Sequence, residues 1–148
     1  MTERVDFYVL KSSTAKQRRT FACRLTEKAY LRDLKVIVCS DTAEENAALD
    51  ELLWTFSDRA FVPHEVHRSD AAAAAPVQLT PDLETLGSAD LLVNLSGRLP
   101  TRLERFARIA EIVDADEERR RLGRERFKAY RDLKLPVEAH QLDDETAV

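Results

Sequence analysis

The sequence predicts an open α/β domain, with a largely parallel sheet and helices on both of its faces. Short β-branched, apolar runs alternate along the chain with segments of helical periodicity, the order of repeated strand–helix units. Two of the runs, Val36-Ile37-Val38-Cys39 and Leu91-Leu92-Val93-Asn94-Leu95, are apolar without alternation, as strands covered on both faces are. A length of 148 residues suits one domain around one hydrophobic core.

Val5-Asp6-Phe7-Tyr8-Val9-Leu10 reads as the first strand, rich in β-branched and aromatic residues. Thr14 with Gln17 three residues on is a capping box, and the helix it opens places Phe21, Ala22, Leu25 and Ala29 on one face. Val36–Cys39 is the next strand. Thr42 with Glu45 repeats the capping signal, and Leu49, Leu52 and Leu53 supply the apolar face of a second helix. Phe61-Val62-Pro63-His64 breaks that pattern. The alanine run 71–75, stopped by Pro76, reads as a surface loop. Val77-Gln78-Leu79 is a brief strand, Leu91–Leu95 a buried one and Ile109–Val113 a further one. Asp116 to Leu133 is the longest charged helix, ending before Pro136. Residues 1–137 thus read as a single α/β domain and 138–148 as a polar, frayed C-terminal tail. Periodicity leaves the strand order open.

Folds of this class often bind nucleotides, but the chain has three glycines, Gly87, Gly97 and Gly123, and none stands in a phosphate-binding spacing. The turn after the first strand is Lys11-Ser12-Ser13-Thr14. Without glycine there the backbone cannot approach a phosphate closely. The expectation is therefore Rossmann-like without a nucleotide-binding loop, with no cofactor and no catalytic motif. His64 and His67 flank Glu65 in a loop after a proline and read as partly exposed histidines, since a metal site needs further ligands on a rigid element. Cys23 and Cys39 are too few for a disulfide framework or a zinc site, and Cys39 ends a buried strand, where a thiol packs as a small apolar group. A reduced, cytoplasmic setting fits. The charged start Met1-Thr2-Glu3-Arg4-Val5-Asp6 lacks the apolar stretch of a signal peptide, and no run approaches a membrane span.

The net charge is −4, yet Glu117 to Lys134 holds eight Arg and Lys against four acids, so a basic segment sits on an acidic body. On a helix, Arg120, Arg124, Phe127, Lys128 and Arg131 share one face, leaving Leu122, Ala129 and Leu133, helped by Tyr130, to dock on the sheet. Four cations around one aromatic ring suit a ligand both anionic and apolar. Guanidinium groups fork to carboxylates and the ring anchors an apolar side chain. An acidic peptide ending in an apolar residue and a free carboxylate matches both features, and a single nucleic-acid strand is the rival ligand. A solvated helix with i,i+4 pairs such as Glu117–Arg121 is the plain alternative.

The block Arg124-Glu125-Arg126-Phe127-Lys128-Ala129-Tyr130-Arg131 resembles the C-terminal helix of the chi subunit family of bacterial DNA polymerase III. Leu49-Asp50-Glu51-Leu52-Leu53-Trp54, followed by Phe61-Val62-Pro63-His64, resembles a second motif of that family, and Phe7-Tyr8-Val9-Leu10 agrees as well. The resemblance runs from about Val5 to Leu135. It implies a non-catalytic α/β accessory subunit that links the clamp loader to single-stranded-DNA-binding protein, touching single-stranded DNA only indirectly. It assigns Arg124, Phe127 and Lys128, with Arg120 and Arg131 on the same face, to that protein's acidic C-terminal tail. It matches Trp54, Phe61 and Pro63 to the surface for the psi subunit or an alternative helicase partner, although Trp54 and Phe61 would equally serve as core.

Overall fold

The computed structural model describes residues 2–56, 61–67 and 75–142. Seven strands form one sheet: β1 (Arg4–Leu10), β2 (Val36–Cys39), β3 (His64–Val66), β4 (Val77–Thr80), β5 (Ala89–Asn94), β6 (Phe106–Val113) and β7 (Val137–Leu142). Their order is β3-β4-β2-β5-β6-β1-β7, and every neighbouring pair is parallel. Helices α1 (Ala15–Tyr30), α2 (Ala43–Thr55) and α3 (Glu117–Asp132) complete the domain. The Rossmann-like expectation holds. Among the described residues no helix is long and apolar enough to cross a membrane.

Both early helices start where the sequence places them. Thr14 accepts from the N–H of Gln17, and Thr42 from that of Glu45, satisfying donors that a helix start leaves unpaired. Phe21, Ala22 and Leu25 of α1 and Leu49 and Leu53 of α2 pack on one face of the sheet, with Val36, Val38, Val93 and Ile112. Tyr130 of α3, joined by Phe127, packs on the other, with Phe7, Ile37, Leu92 and Ile109. The all-apolar runs are the central strands β2 and β5, buried from both sides as their lack of alternation requires.

Four features depart from the sequence reading. Residues 137–142 are not frayed: β7 pairs with β1 from Val5↔Val137 to Leu10↔Leu142. An edge strand over half-covered positions needs few apolar residues, so its polar composition hid it. Residues 143–148 lie outside the described residues, as does the alanine run except Ala75. His64 is buried and opens β3, its ring nitrogens on the carbonyls of Val62 at 2.6 Å and Asp50 at 3.1 Å. Leu133 is 56% exposed and does not dock on the sheet. The buried stripe of α3 is Gly123, Arg126 and Tyr130, with Leu122 and Ala129 at its margins. The helix can lie this close because Gly123 faces Val113, where a Cβ would meet a methyl carbon at 2.9 Å.

Arg126 is buried because it answers Glu111 of β6, which is fully enclosed. The Glu111 carboxylate accepts from Arg126 Nε at 3.0 Å, Tyr130 Oη at 2.6 Å and Asn94 Nδ2 at 2.9 Å. Burial pushes the Glu111 carboxyl up, against the pull of Arg126 and the two other donors. This network fixes the rotation of α3 about its axis and therefore which of its side chains face out.

A second cluster ties β7 to the sheet. Asp6, buried on β1, binds Arg4 Nε at 2.8 Å, Arg108 Nη2 at 2.9 Å and His140 Nε2 of β7 at 2.9 Å. Burial raises the Asp6 carboxyl, but hydrogen bonds from His140, Arg108 and Arg4 outweigh it and hold it below the usual aspartate range. A depressed carboxyl adds stability that is present above its unfolded value, about 3.9, and is lost as pH falls through the folded value. In urea unfolding the wild type is expected to exceed Asp6→Asn in stability at pH 7. That margin should shrink below about pH 4. A margin unchanged from pH 7 to pH 3 would contradict this assignment.

Candidate interaction surfaces

Asp116 caps α3 by accepting from the N–H of Arg119 at 3.0 Å, and Glu117 and Glu118 occupy its first turn, where the helix dipole favours acids. The cations of this helix then divide into two sets. Arg119 grips Asp114 through Nε and Nη2, both at 2.8 Å. Arg121 pairs with Glu118 and with Glu125, rather than with Glu117. Arg126 is held by Glu111. These three are neutralised within the fold.

Arg124, Lys128 and Arg131 make no ion pair among the described residues. With Phe127 and Asp132 they line one shallow cavity of about 540 Å³. The Phe127 ring is half-buried, seated on Phe7 at 5.2 Å between centroids, and the Arg131 guanidinium lies 6.0 Å from it. Arg120 stands one turn before Arg124, its Nε donating to the Asp114 carbonyl at 3.0 Å. Arg120, Arg124 and Phe127 also line a neighbouring groove of about 260 Å³ that reaches Ala139 and Gln141 of β7. The five residues singled out by helical spacing therefore fall on one continuous surface. Its chemistry is forked donation to carboxylate or phosphate oxygens beside an immobilised aromatic. Asp132 at the rim supplies one opposing charge.

The second surface lies at the far end of α2. Trp54 is 53% exposed and Phe61 64% exposed, so neither serves as core. Their rings sit 5.4 Å apart, and Trp54 rests on the buried His64 ring at 4.6 Å. Across Phe61-Val62-Pro63-His64, Val62 and His64 turn inward while Phe61 turns out and Pro63 is half-covered. Trp54 and Phe61 are the only exposed Trp or Phe side chains among the described residues. An aromatic pair left out of the core in this way is the composition of a docking surface. Truncating both, Trp54→Ala with Phe61→Ala, is expected to shift the stability measured by urea unfolding by no more than about 1 kcal/mol. A loss of several kcal/mol would return them to the core.

Open parallel sheets bind ligands at the carboxyl ends of strands whose connections leave to opposite faces, here β1 and β6. In this chain that crevice is held by its own groups. The N–H of Ala115 donates to the Ser12 carbonyl at 2.8 Å, and Arg119 reaches both Asp114 and, at 3.3 Å, the Ser13 carbonyl. Burial pushes the Cys39 thiol up to about 11 and that of Cys23 up to about 12, so neither is a thiolate at neutral pH. Among the described residues His64 and His67 belong to no group of three potential metal ligands, although His64 Nε2 lies 3.2 Å from Asp50 Oδ1. The one such grouping among the described residues is Asp6, Glu138 and His140, where Arg4 and Arg108 already occupy the Asp6 carboxylate.

The fold is thus a Rossmann-like domain whose strand-end crevice is crossed by its own groups, and whose unpaired α3 cations and exposed aromatics, among the described residues, lie on outer faces. The chain belongs to the family described as DNA polymerase III chi subunit, HolC, whose profile matches residues 1–138. It is 38% identical to DNA polymerase III subunit chi of Pseudomonas aeruginosa, over 94% of this chain and 96% of that one. It is 26% identical to the subunit of the same name in Haemophilus influenzae, over 88% and 92%. Among solved structures it is similar to Saccharomyces cerevisiae Dbp5 bound to Nup159, Gle1 and ADP, with a TM-score of 0.64 at 14% identity. That match covers 99% of this chain and 44% of Dbp5, and it speaks for the fold alone. The family is an accessory subunit of DNA polymerase III, so this chain acts within the DNA replication complex.

Spacing found the outward residues of α3 and, of the inward ones, Tyr130, but not Gly123 or Arg126. Gly123, Arg126 and Tyr130 recur at i, i+3 and i+7, and a glycine one heptad before the inward tyrosine is the signal for that stripe.

Proposed function

We propose that this chain is a non-catalytic adaptor of DNA polymerase III. Its α3 surface takes the acidic C-terminal tail of single-stranded-DNA-binding protein. Its Trp54, Phe61 and Pro63 surface takes a psi-type subunit leading to the clamp loader, or an alternative helicase partner. One observation carries the first half: among the described residues Arg124, Lys128 and Arg131 make no ion pair around the seated ring of Phe127, while Arg119, Arg121 and Arg126 are each paired with an acid of this chain. A carboxylate-rich peptide ending in an apolar residue offers a counterpart to each group. The second half is supported by the exposed Trp54–Phe61 pair. The glycine-free turn and the occupied strand-end crevice favour an adaptor over a nucleotide-dependent enzyme. The polar, screened contacts predict modest affinity that falls with added salt, and several tails on one partner assembly would compensate.

Two titrations test the reading, one with a synthetic acidic peptide ending in phenylalanine and one with a single-stranded oligonucleotide. The adaptor binds the peptide and leaves the oligonucleotide largely free. Tight oligonucleotide binding without peptide binding would replace it with a direct nucleic-acid module.

A further inference from the structure

A third cavity, used by neither interaction surface, lies on the other face of the sheet. Tyr8 and His140 pair across β1 and β7 and face the α1 side, whereas Phe7 faces α3. With the C-terminal end of α1 they border a cavity of about 560 Å³, a size that suits a small organic ligand. Its floor is apolar: Leu25 and Ala29 of α1, Leu34, Leu91 of β5, Ala110 of β6 and Leu142 of β7. Polar groups stand on the wall. The Tyr8 ring is fixed between Phe21, 5.4 Å away, and His140, stacked on it at 5.2 Å. The Tyr8 hydroxyl makes no hydrogen bond among the described residues. Burial pushes this phenol up, so it stays protonated and able to donate at neutral pH. Arg108 gives Nη2 to Asp6 at 2.9 Å, and its other N–H groups make no hydrogen bond among the described residues. The Asp6 carboxylate, the acceptor on this wall, is already filled by Arg4, Arg108 and His140.

We propose that this cavity binds a small apolar carboxylic acid, its body on the Leu25, Ala29 and Ala110 floor and its carboxylate on the Tyr8 hydroxyl and the Arg108 guanidinium. The placement of charge selects the sign of the ligand. At the rim, Lys28 and Arg32 at the end of α1 balance Glu3 and Asp90, and Asp90 Oδ2 accepts from the N–H of Lys35 at 2.8 Å. On the wall, the groups with hydrogen-bonding capacity left are donors, while the Asp6 acceptor is filled. A carboxylate is therefore satisfied there and an ammonium is not. A neutral alcohol of the same shape covers the floor but forgoes the charge-assisted bond. Because Phe21 and His140 already hold the Tyr8 ring, binding costs little ordering of that group. The site lies on the sheet face opposite α3 and does not depend on the peptide-binding reading of that helix.

Three probes of one shape, 4-phenylbutyrate, 4-phenylbutanol and 4-phenylbutylamine, test this on the isotope-labelled full chain. The carboxylate is expected to bind with a Kd on the order of 1 mM, as small ligands of this size do, and to move the backbone amide signals of Tyr8, Ala29, Ala110 and His140. The alcohol should bind at least about threefold more weakly and the amine more weakly still. Tyr8→Phe keeps the packed ring and removes the hydroxyl. It is expected to weaken the carboxylate by roughly three- to tenfold and to leave the alcohol nearly unchanged. Arg124→Ala, on α3, should alter none of these shifts. An absence of shifts at these four residues with the carboxylate in excess overturns the proposal. Equal affinity for the three probes, or undiminished carboxylate binding in Tyr8→Phe, overturns the assignment of the carboxylate to this wall. Shifts confined to Arg124 and Phe127 would give the acid to α3 and overturn it as well.

Discussion

Arg126→Ala is expected to be among the most destabilising single changes in this protein, by about 3–5 kcal/mol. The residue looks dispensable in sequence, one of seven cations on a charged helix. In the fold it is 6% exposed and its Nε lies 3.0 Å from the enclosed Glu111 carboxylate. Removing the guanidinium leaves a buried anion with only the Tyr130 hydroxyl and the Asn94 amide to satisfy it. Glu111 is fully enclosed in the intact fold, so much of its desolvation penalty is left uncovered. Thermal unfolding should show a fall in Tm on the order of 10 °C. The pair is not thereby an optimised source of stability. Replacing both members, Glu111→Leu with Arg126→Met, removes the charge and its counter-charge together and should be milder than Arg126→Ala. If Arg126→Ala unfolds like wild type in urea, Arg126 is not the partner that neutralises Glu111.

The largest functional effect is expected from the opposite side of the same helix. Arg124→Ala removes an exposed guanidinium that makes no ion pair among the described residues, so folding should be nearly untouched. Affinity for a synthetic acidic peptide should fall roughly tenfold, equivalent to about 1.4 kcal/mol. Phe127→Ala should weaken binding by a similar factor, but by another route. The ring is an apolar anchor already held by Phe7, so its truncation also removes packing and lowers stability by about 1 kcal/mol. Separating the two effects requires measuring affinity at a temperature where both variants are fully folded. Loss from Arg124→Ala should diminish as salt rises, whereas loss from Phe127→Ala should persist, because only the first contact is screened. Wild-type affinity in both variants would place the peptide elsewhere.

The contrast between these two arginines shows what one sequence could and could not reveal. Helical spacing placed Arg120, Arg124, Phe127, Lys128 and Arg131 together, and the fold keeps them together, because spacing along a helix is local geometry. Whether a given cation is free or consumed depends on what the neighbouring strand presents. Glu111 sits within an otherwise apolar run, Ile109-Ala110-Glu111-Ile112-Val113, and its demand for a buried partner becomes visible only when β6 and α3 are packed. The capping threonines and the all-apolar strands were legible for the same reason that the helix face was: their signals lie within a few residues. Edge strands were not. β3 spans three residues and begins on a histidine, and β7 has half-covered polar positions that resemble a tail. Their hydrogen bonds go to partners far away in sequence. Trp54 and Phe61 were ambiguous as large aromatics are, equally good in a core and on an interface. Exposure, a property of the assembled fold, settled them on the surface.

The central claim is that the outward face of α3 is a peptide site, and nuclear magnetic resonance mapping tests it most directly. Adding an unlabelled acidic peptide ending in phenylalanine to the isotope-labelled protein should move the backbone and side-chain signals of Arg124, Phe127, Lys128 and Arg131, with smaller shifts at Arg120. Trp54 and Phe61, on the other surface, should stay in place. Shifts centred on Trp54 and Phe61, or no shifts at saturating peptide, would contradict the account.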